Sequence, residues 1–496
     1  MSGSKPITLA PPGSREVMDA SKATSMIADW TTQLTAHRDA NANANVDVDV
    51  DVDCLCDTII LSDKSYTSEA AALIATFLTS TEIFSPSIAS GIKYAILSDI
   101  IAGRMEDEGL KVLKTITDAF QESKLVEVDL SDNALGSKGV TACETVLCGS
   151  PVAGTLERLS LQNNGLSEDT MDEVALLLTR ESESESADNS EDDKDTHKEY
   201  GNACIAQNLT KIHFYNNMSG NAGCTSFKKI MSRCTDNLTD IRFSGTRARA
   251  EGSAHIVSAL SDLADAGKLV NITRLDLADN SFGECCEELT SALKQCPKLE
   301  YLDLHDCCLG DEGIAMVCRA LLEVKSPLNF LSISGNDIGA DDWNEPTRVI
   351  AALIRSVSGS LITFHASENE MKSPGIRRIV KAMKSDTIKE ICLNVNECGT
   401  VGADALVDMY AAGNVPNLGK IELNGNFFLE GVVDRLTSTF GDKLEEMDDN
   451  IDDEDADDDL EPEDLEVEDD AVDEEVKEQT DVTVDALVGA MGNFAM

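Results

Sequence analysis

The sequence predicts an α/β solenoid, a stack of strand-and-helix units, from three observations. An eleven-residue phrase, L-x-x-L-x-L-x-x-N-x-L, recurs twelve times along the 496 residues. Successive phrases begin 27 to 36 residues apart, with one interval of 53 between Leu156 and Leu209. Apolar stretches with helical character follow them, such as AMVCRALLEV after Ile314. A single strand-plus-helix unit cannot bury its own apolar faces, so units of this kind stack and share one continuous core.

By its first position the phrase starts at Cys56, Ile92, Leu125, Leu156, Leu209, Leu238, Ile272, Leu299, Leu328, Leu361, Ile388 and Leu418. Residues Leu125–Leu135 (LVEVDLSDNAL) and Leu156–Leu166 (LERLSLQNNGL) match it at every defining position. This is the leucine-rich-repeat pattern. The long intervals leave room for a full helix after each strand, as in TACETVLCG after Val140. That predicts a ribonuclease-inhibitor-like horseshoe, with parallel strands on the concave side and helices on the convex side. About twelve repeats, residues 56–443, are expected to form one elongated domain.

Residues 1–55 precede the repeats. Val17, Ala20, Ala23, Met26, Ile27, Trp30 and Leu34 are spaced as one face of a helix over Ser14–His37, which is expected to cap the first repeat. The alternation ANANANVDVDVDVD, Ala40–Asp53, reads as a solvated linker. The long interval holds ESESESADNSEDDKDTHKEY, residues 181–200, an acidic insertion too poor in apolar side chains to fold. Residues 444–478 carry 22 Asp and Glu against the single Lys477, and a stretch of that charge is expected to stay extended. Residues 479–496 turn apolar again and form a short C-terminal segment.

The chain has 91 acidic and 40 basic residues, a net charge of −51 and a pI near 4.2. Nucleic acid and anionic membrane surfaces need cationic protein, so a basic protein surface is the better partner. The 15 cysteines are scattered, without C-x-x-C spacing, and read as reduced thiols. Cys307 occupies the Asn position of its repeat. The N-terminus shows no secretory pattern and no apolar run approaches the ~20 residues of a membrane helix, so a soluble intracellular monomer is expected.

Position 9 of the phrase is Asn133, Asn164, Asn217, Asn280, Asn336, Asn369, Asn396 and Asn426 in eight repeats, read as structural because an amide can satisfy turn backbone. Position 8 reads Asp63, Asp99, Asp132, Asn163, Asn216, Gly245, Asp279, Asp306, Gly335, Glu368, Val395 and Gly425, and nothing in the pattern dictates it. Strands stacked about 4.8 Å apart would line these up as an acidic rim. Asp99, Asp132, Asn216, Asp279 and Asp306 are therefore candidate partner-binding residues. Asn163 interrupts the acids, and Arg104 lies two repeats earlier, on the order of 10 Å away. A neutral amide and a guanidinium on one rim can address a phosphate-bearing partner. Neither G-x-x-x-x-G-K-[ST] nor H-E-x-x-H occurs, and the six histidines fall singly, so no self-sufficient catalytic centre, metal site or cofactor is expected.

SDIIAGRMEDEGL around Arg104, LSDNALGSKGV around Asn133, LQNNGLSED around Asn163 and FYNNMSGNAG around Asn217 resemble the Ran GTPase-activating protein family, its plant and algal branch most of all. The acidic stretch after the last repeat resembles the family's architecture too. The resemblance spans about Thr58 to Glu478. It implies activation of GTP hydrolysis on GTP-bound Ran in nucleocytoplasmic transport, with a Ran-binding protein as an additional partner. The chain would not be an enzyme by itself, since GTP and magnesium belong to Ran. In this family the asparagine that falls on Asn163 orients Ran's own catalytic glutamine, and the arginine that falls on Arg104 supports the interface without acting as a finger; these two are the catalytic candidates. Residues 1–55 depart from the plant pattern in having no Trp-Pro-Pro motif, and no domain suited to SUMO attachment is seen, which leaves a cytoplasmic or perinuclear pool as the expectation. The rival reading is a non-catalytic scaffold that captures a basic partner on the acidic rim.

Overall fold

The computed structural model describes residues 5–44, 55–82, 84–180, 204–458 and 460–461. The insertion 181–200, linker residues 45–54 and the segment from 462 onward lie outside them. The chain divides into two compact units, Met1–Arg247 and Ala248–Met496.

The first unit contains strands β1 (Ile7–Leu9), β2 (Glu16–Met18), β3 (Cys56–Ile60), β4 (Lys64–Tyr66), β5 (Tyr94–Ile96), β6 (Glu127–Asp129), β7 (Arg158–Ser160), β8 (Lys211–His213) and β9 (Asp240–Arg242). All pairings are parallel, in the order β1-β3-β5-β6-β7-β8-β9, and β2 pairs separately with β4. Each three-residue repeat strand points its middle side chain inward, and Val128, Leu159, Ile212 and Ile241 are fully buried. Alternate residues stay on the open face and pair across strands, as Arg158 does with Glu127 at 3.0 Å. Helices close the other side. Glu106–Asp118 buries Val112, Leu113 and Ile116, and Glu168–Thr179 buries Met171, Val174 and Leu178. The TACETVLCG stretch is not one helix: it breaks at Cys143 between Gly136–Ala142 and Glu144–Cys148.

The N-terminal segment does more than contribute a helix. Its strand β1 extends the sheet beyond the first repeat, and α1 runs over Ala20–Ala44, six residues later than its apolar spacing suggested. Val17, read as part of the helical face, lies in β2 and is 45% exposed. Ala23, Met26, Trp30 and Leu34 form the buried stripe against α2 (Ser68–Thr79). The Trp30 indole donates to the Ala10 carbonyl at 3.1 Å, so its one polar atom is satisfied. Lys64, which holds the Asn position of the first repeat, is 2% exposed. Its ammonium donates to the carbonyls of Pro12 (2.9 Å) and Ser14 and lies 3.3 Å from the Glu16 carboxylate.

The second unit repeats the scheme with β10 (Arg274–Asp276), β11 (Tyr301–Asp303), β12 (Phe330–Ser332), β13 (Thr363–His365), β14 (Glu390–Cys392) and β15 (Lys420–Glu422), parallel and in chain order. AMVCRALLEV lies in the helix Gly310–Val324, as its spacing predicts. The start of the acidic stretch differs from its expected extended state. Ile451 donates its N–H to Asn426 O at 2.9 Å, and Asp449 exchanges hydrogen bonds with the Asn424 side chain at 2.9 and 3.0 Å. Asp457 accepts from the Val401 N–H at 2.8 Å, at the start of the helix Thr400–Ala411. A carboxylate there meets unpaired helix donors and the positive end of the helix dipole, which outweighs its repulsion from neighbouring acids.

Candidate functional site

The backbone fixes what position 8 can be. All twelve residues at this position, from Asp63 to Gly425, have positive φ, between 50° and 70°. Left-handed backbone favours Gly, Asn and Asp, whose side chains avoid the clash or hydrogen-bond locally, and ten of the twelve are of these types. The acidic rim is thus a product of turn geometry, not a choice independent of the fold as the pattern suggested. Glu368 and Val395 are the exceptions, and Val395 is 49% exposed.

Position 9 sits directly beneath. Asn133, Asn164, Asn217 and Asn280 are buried. Asn133 Nδ2 donates to Leu97 O (2.8 Å) and Leu130 O (2.9 Å), while its Oδ1 accepts from the Ile100 N–H. Asn164 Oδ1 accepts from Asn133 N at 2.9 Å, and Asn217 Oδ1 accepts from Asn164 N at 3.0 Å. Asn280 Nδ2 donates to Leu277 O at 2.8 Å. Cys307 does the same job with its thiol, donating to Leu277 O at 3.4 Å. These contacts tie each turn to the next, so the residues above them are rigidly placed.

On that platform three rim side chains of the first unit form a chain. Asn163 Nδ2 donates to Asp132 Oδ1 at 2.7 Å, and Asn216 Nδ2 donates to Asn163 Oδ1 at 3.1 Å. An ionised carboxylate only accepts, so Asp132 fixes which end of the Asn163 amide faces it. Asn163 is exposed and retains one N–H beyond the chain. Asp132 also lines an open cavity of about 630 Å³, with Arg104, Met105, Asn133, Ser137 and Lys138 among its walls. Arg104 follows β5 on a short loop, is 17% exposed, and donates through Nε to Ser65 Oγ at 2.9 Å. Its second anchor is Glu108 at 3.6 Å, one helical turn on. Arg104 and Asn163, paired from the sequence by strand spacing and by the family resemblance, meet Asp132 differently: Asn163 hydrogen-bonds it, whereas Arg104 only shares the lining of the cavity with it.

One residue escaped sequence reasoning. Arg15, from the N-terminal arm, reaches Asp99 Oδ1 at 2.8 Å and is 62% exposed. Lying outside the repeats, it carries no periodic signal that could have located it. Burial pushes the Asp99 carboxyl up, the Arg15 guanidinium pulls it back, and Asp63 and Asp132 raise it again. In the second unit Asp279 and Asp306 are exposed, with His305 Nε2 3.1 Å from Asp306. Burial, then the Asp306 charge, raises the Asp279 carboxyl.

The leucine-rich-repeat family profile matches residues 122–142 and 295–318. The chain is a leucine-rich-repeat protein. Among curated proteins it is similar to RAN GTPase-activating protein 1 of Arabidopsis thaliana, 39% identical over 89 residues, which is 18% of this chain and 15% of that protein. RAN GTPase-activating protein 2 of the same plant is 48% identical over 61 residues, 12% of this chain and 11% of that one. The ribonuclease inhibitor of Sus scrofa is 25% identical over 334 residues, 61% of this chain and 64% of the inhibitor. Each of these relatives is thus matched over less than two thirds of its length. Among solved structures, an internalin from Listeria monocytogenes aligns at a TM-score of 0.37 and 12% identity, covering 69% of this chain and 90% of that one.

Proposed function

We propose that this leucine-rich-repeat protein is a GTPase activator for Ran and acts on its GTP-bound state. The observation that carries the reading is the Asn163 amide, exposed on the rim yet held between Asp132 and Asn216. An amide with one fixed donor left over suits orientation of a partner's glutamine, and positioning of this kind removes part of the barrier without supplying a chemical group. Arg104, fastened by Ser65 and Glu108, presents fixed positive charge on the wall of the cavity that Asp132 also lines and supports docking. GTP and magnesium are the partner's, and the chain needs no cofactor of its own. The partial matches to two plant Ran activators support the same reading.

The test is single-turnover GTP hydrolysis by purified Ran with this protein in catalytic amount. Acceleration by orders of magnitude is expected. Unchanged hydrolysis with intact binding would leave the second reading, a capturing scaffold, which the longer match to a ribonuclease inhibitor favours. A scaffold has no reason to prefer the GTP state of a switch protein, so nucleotide-independent binding is its signature.

A further inference from the structure

We propose that the second unit carries a divalent transition-metal site, suited to zinc, formed by His365, Glu390 and Cys392. His365 and Cys392 are register partners on the adjacent strands β13 and β14, and Glu390 lies two residues before Cys392 on the same sheet face. The three donor atoms, an imidazole nitrogen, a carboxylate oxygen and a thiol sulfur, all lie within 4.8 Å of one another. His365 Nε2 is 3.6 Å from Glu390 Oε1, and Cys392 Sγ is 3.9 Å from that oxygen. Tetrahedral zinc, with bonds of ~2.0–2.3 Å, holds its donors roughly 3.3–3.8 Å apart. Two of the separations thus need little change for an ion to enter.

A second observation points the same way. His365 Nε2 is buried without any hydrogen-bond partner, although it faces a carboxylate and a thiol. A buried imidazole nitrogen left unpaired costs free energy, and such an atom calls for an explanation. A metal ion explains it, since neutral imidazole offers the lone pair that the ion takes. The Phe330 ring, edge-on to His365 at 5.4 Å between centroids, holds the imidazole in place. Lys420 is the competitor for Glu390, at 3.2 Å, but it also pairs with Glu422 at 2.5 Å. On metal entry Lys420 keeps Glu422, and Glu390 turns to the ion. The Cys392 thiol releases its proton to solvent, so a thiolate, a carboxylate and a neutral imidazole exactly balance one divalent charge. Mixed nitrogen, oxygen and sulfur donors with a fourth position left for water favour zinc over calcium or magnesium, which take oxygen ligands.

Cobalt(II) is the probe, because only thiolate ligation gives its near-ultraviolet charge-transfer band. The purified full chain, stripped with a chelator, is titrated with cobalt and then with zinc. The expected result is a charge-transfer band saturating at one cobalt per chain and bleached by zinc. Cys392→Ser removes the band, and His365→Ala and Glu390→Gln each weaken cobalt binding at least ~10-fold, the scale seen when a ligand environment is lost. Circular dichroism checks that each variant is folded, and Glu390→Gln serves where Cys392→Ser or His365→Ala does not fold. No band in the unaltered chain overturns the proposal, as does a band that survives Cys392→Ser.

Discussion

Asn163 gives its side-chain amide to the Asp132 carboxylate at 2.7 Å while both residues hold left-handed backbone, at φ 51° and 61°. The two properties are linked. The left-handed turn lifts each side chain off the sheet edge, and the spacing of parallel strands brings neighbours within hydrogen-bond reach. A turn requirement of the repeat thereby creates an ordered polar chain, and one asparagine in it becomes the candidate working group.

Because φ is positive at Asn163, alanine there alters backbone and side chain together. Glycine separates them. Asn163→Gly is expected to leave the folded state within about 0.5 kcal/mol of the parent, whereas Asn163→Ala costs ~1 kcal/mol in left-handed strain. Both should lower the stimulated single-turnover hydrolysis by Ran on the order of 100-fold with little change in binding, as expected when a positioning group is lost. Equal losses of affinity and rate would argue against a positioning role. Asp132→Ala should give a smaller loss, roughly 10-fold, because the amide remains but its orientation does not.

Arg104→Ala removes a guanidinium bonded to Ser65 and Glu108. A stability loss of about 1 kcal/mol is expected from the side-chain hydrogen bond, with little from the partly exposed ion pair. Stimulated hydrolysis should fall about 10-fold, mainly through weaker docking that eases as salt is raised. Near-normal activity at low salt would remove Arg104 from the site.

Val395 is a β-branched residue at φ 50°, where ten of its repeat relatives carry Asp, Asn or Gly and one carries Glu368. Val395→Asn should remove ~1–2 kcal/mol of strain and forfeit about 1 kcal/mol of half-buried apolar contact. A net gain of about 0.5 kcal/mol is expected, read as a higher urea midpoint at unchanged slope. A lower midpoint would mean that packing at this turn outweighs the strain.

Every cysteine among the described residues is a free thiol, and Cys308 alone of these is exposed. Burial pushes Cys143 and Cys318 up to about 12, and burial with the Glu144 charge pushes Cys148 up to about 11. The thiolate is the reactive form, so iodoacetamide at neutral pH should modify Cys308 at least ~10-fold faster than Cys143, Cys148 or Cys318. Peptide mass spectrometry after a time course checks the order.

The repeats were legible because each defining leucine and asparagine answers one spacing rule, and Asn133, Asn164 and Asn217 carry that rule into hydrogen bonds. The turn geometry is legible too, in the Asp, Asn and Gly at position 8, but the same residues also spell a charged surface, which masks it. Strands β1 and β2 left no trace, since three residues are too few to show alternation. The Arg15–Asp99 contact depends on how the N-terminal arm folds back across 84 residues of sequence, which no local pattern encodes. The docking of Asp449 and Asp457 was hidden by composition, because net charge says nothing of which single carboxylate meets a helix start.

Lys64 occupies the place where other repeats put an asparagine, and its longer side chain reaches the arm instead of the adjoining turn. The arm is therefore a keystone. A shortened chain that began after Met18 would strip the Lys64 ammonium of the Pro12 and Ser14 carbonyls and the Glu16 carboxylate, and would take away β2, the strand that β4 pairs with. Such a truncation would not trim an ornament from the protein; it would unseat the first repeat, and with it Ser65, the residue on which Arg104 rests.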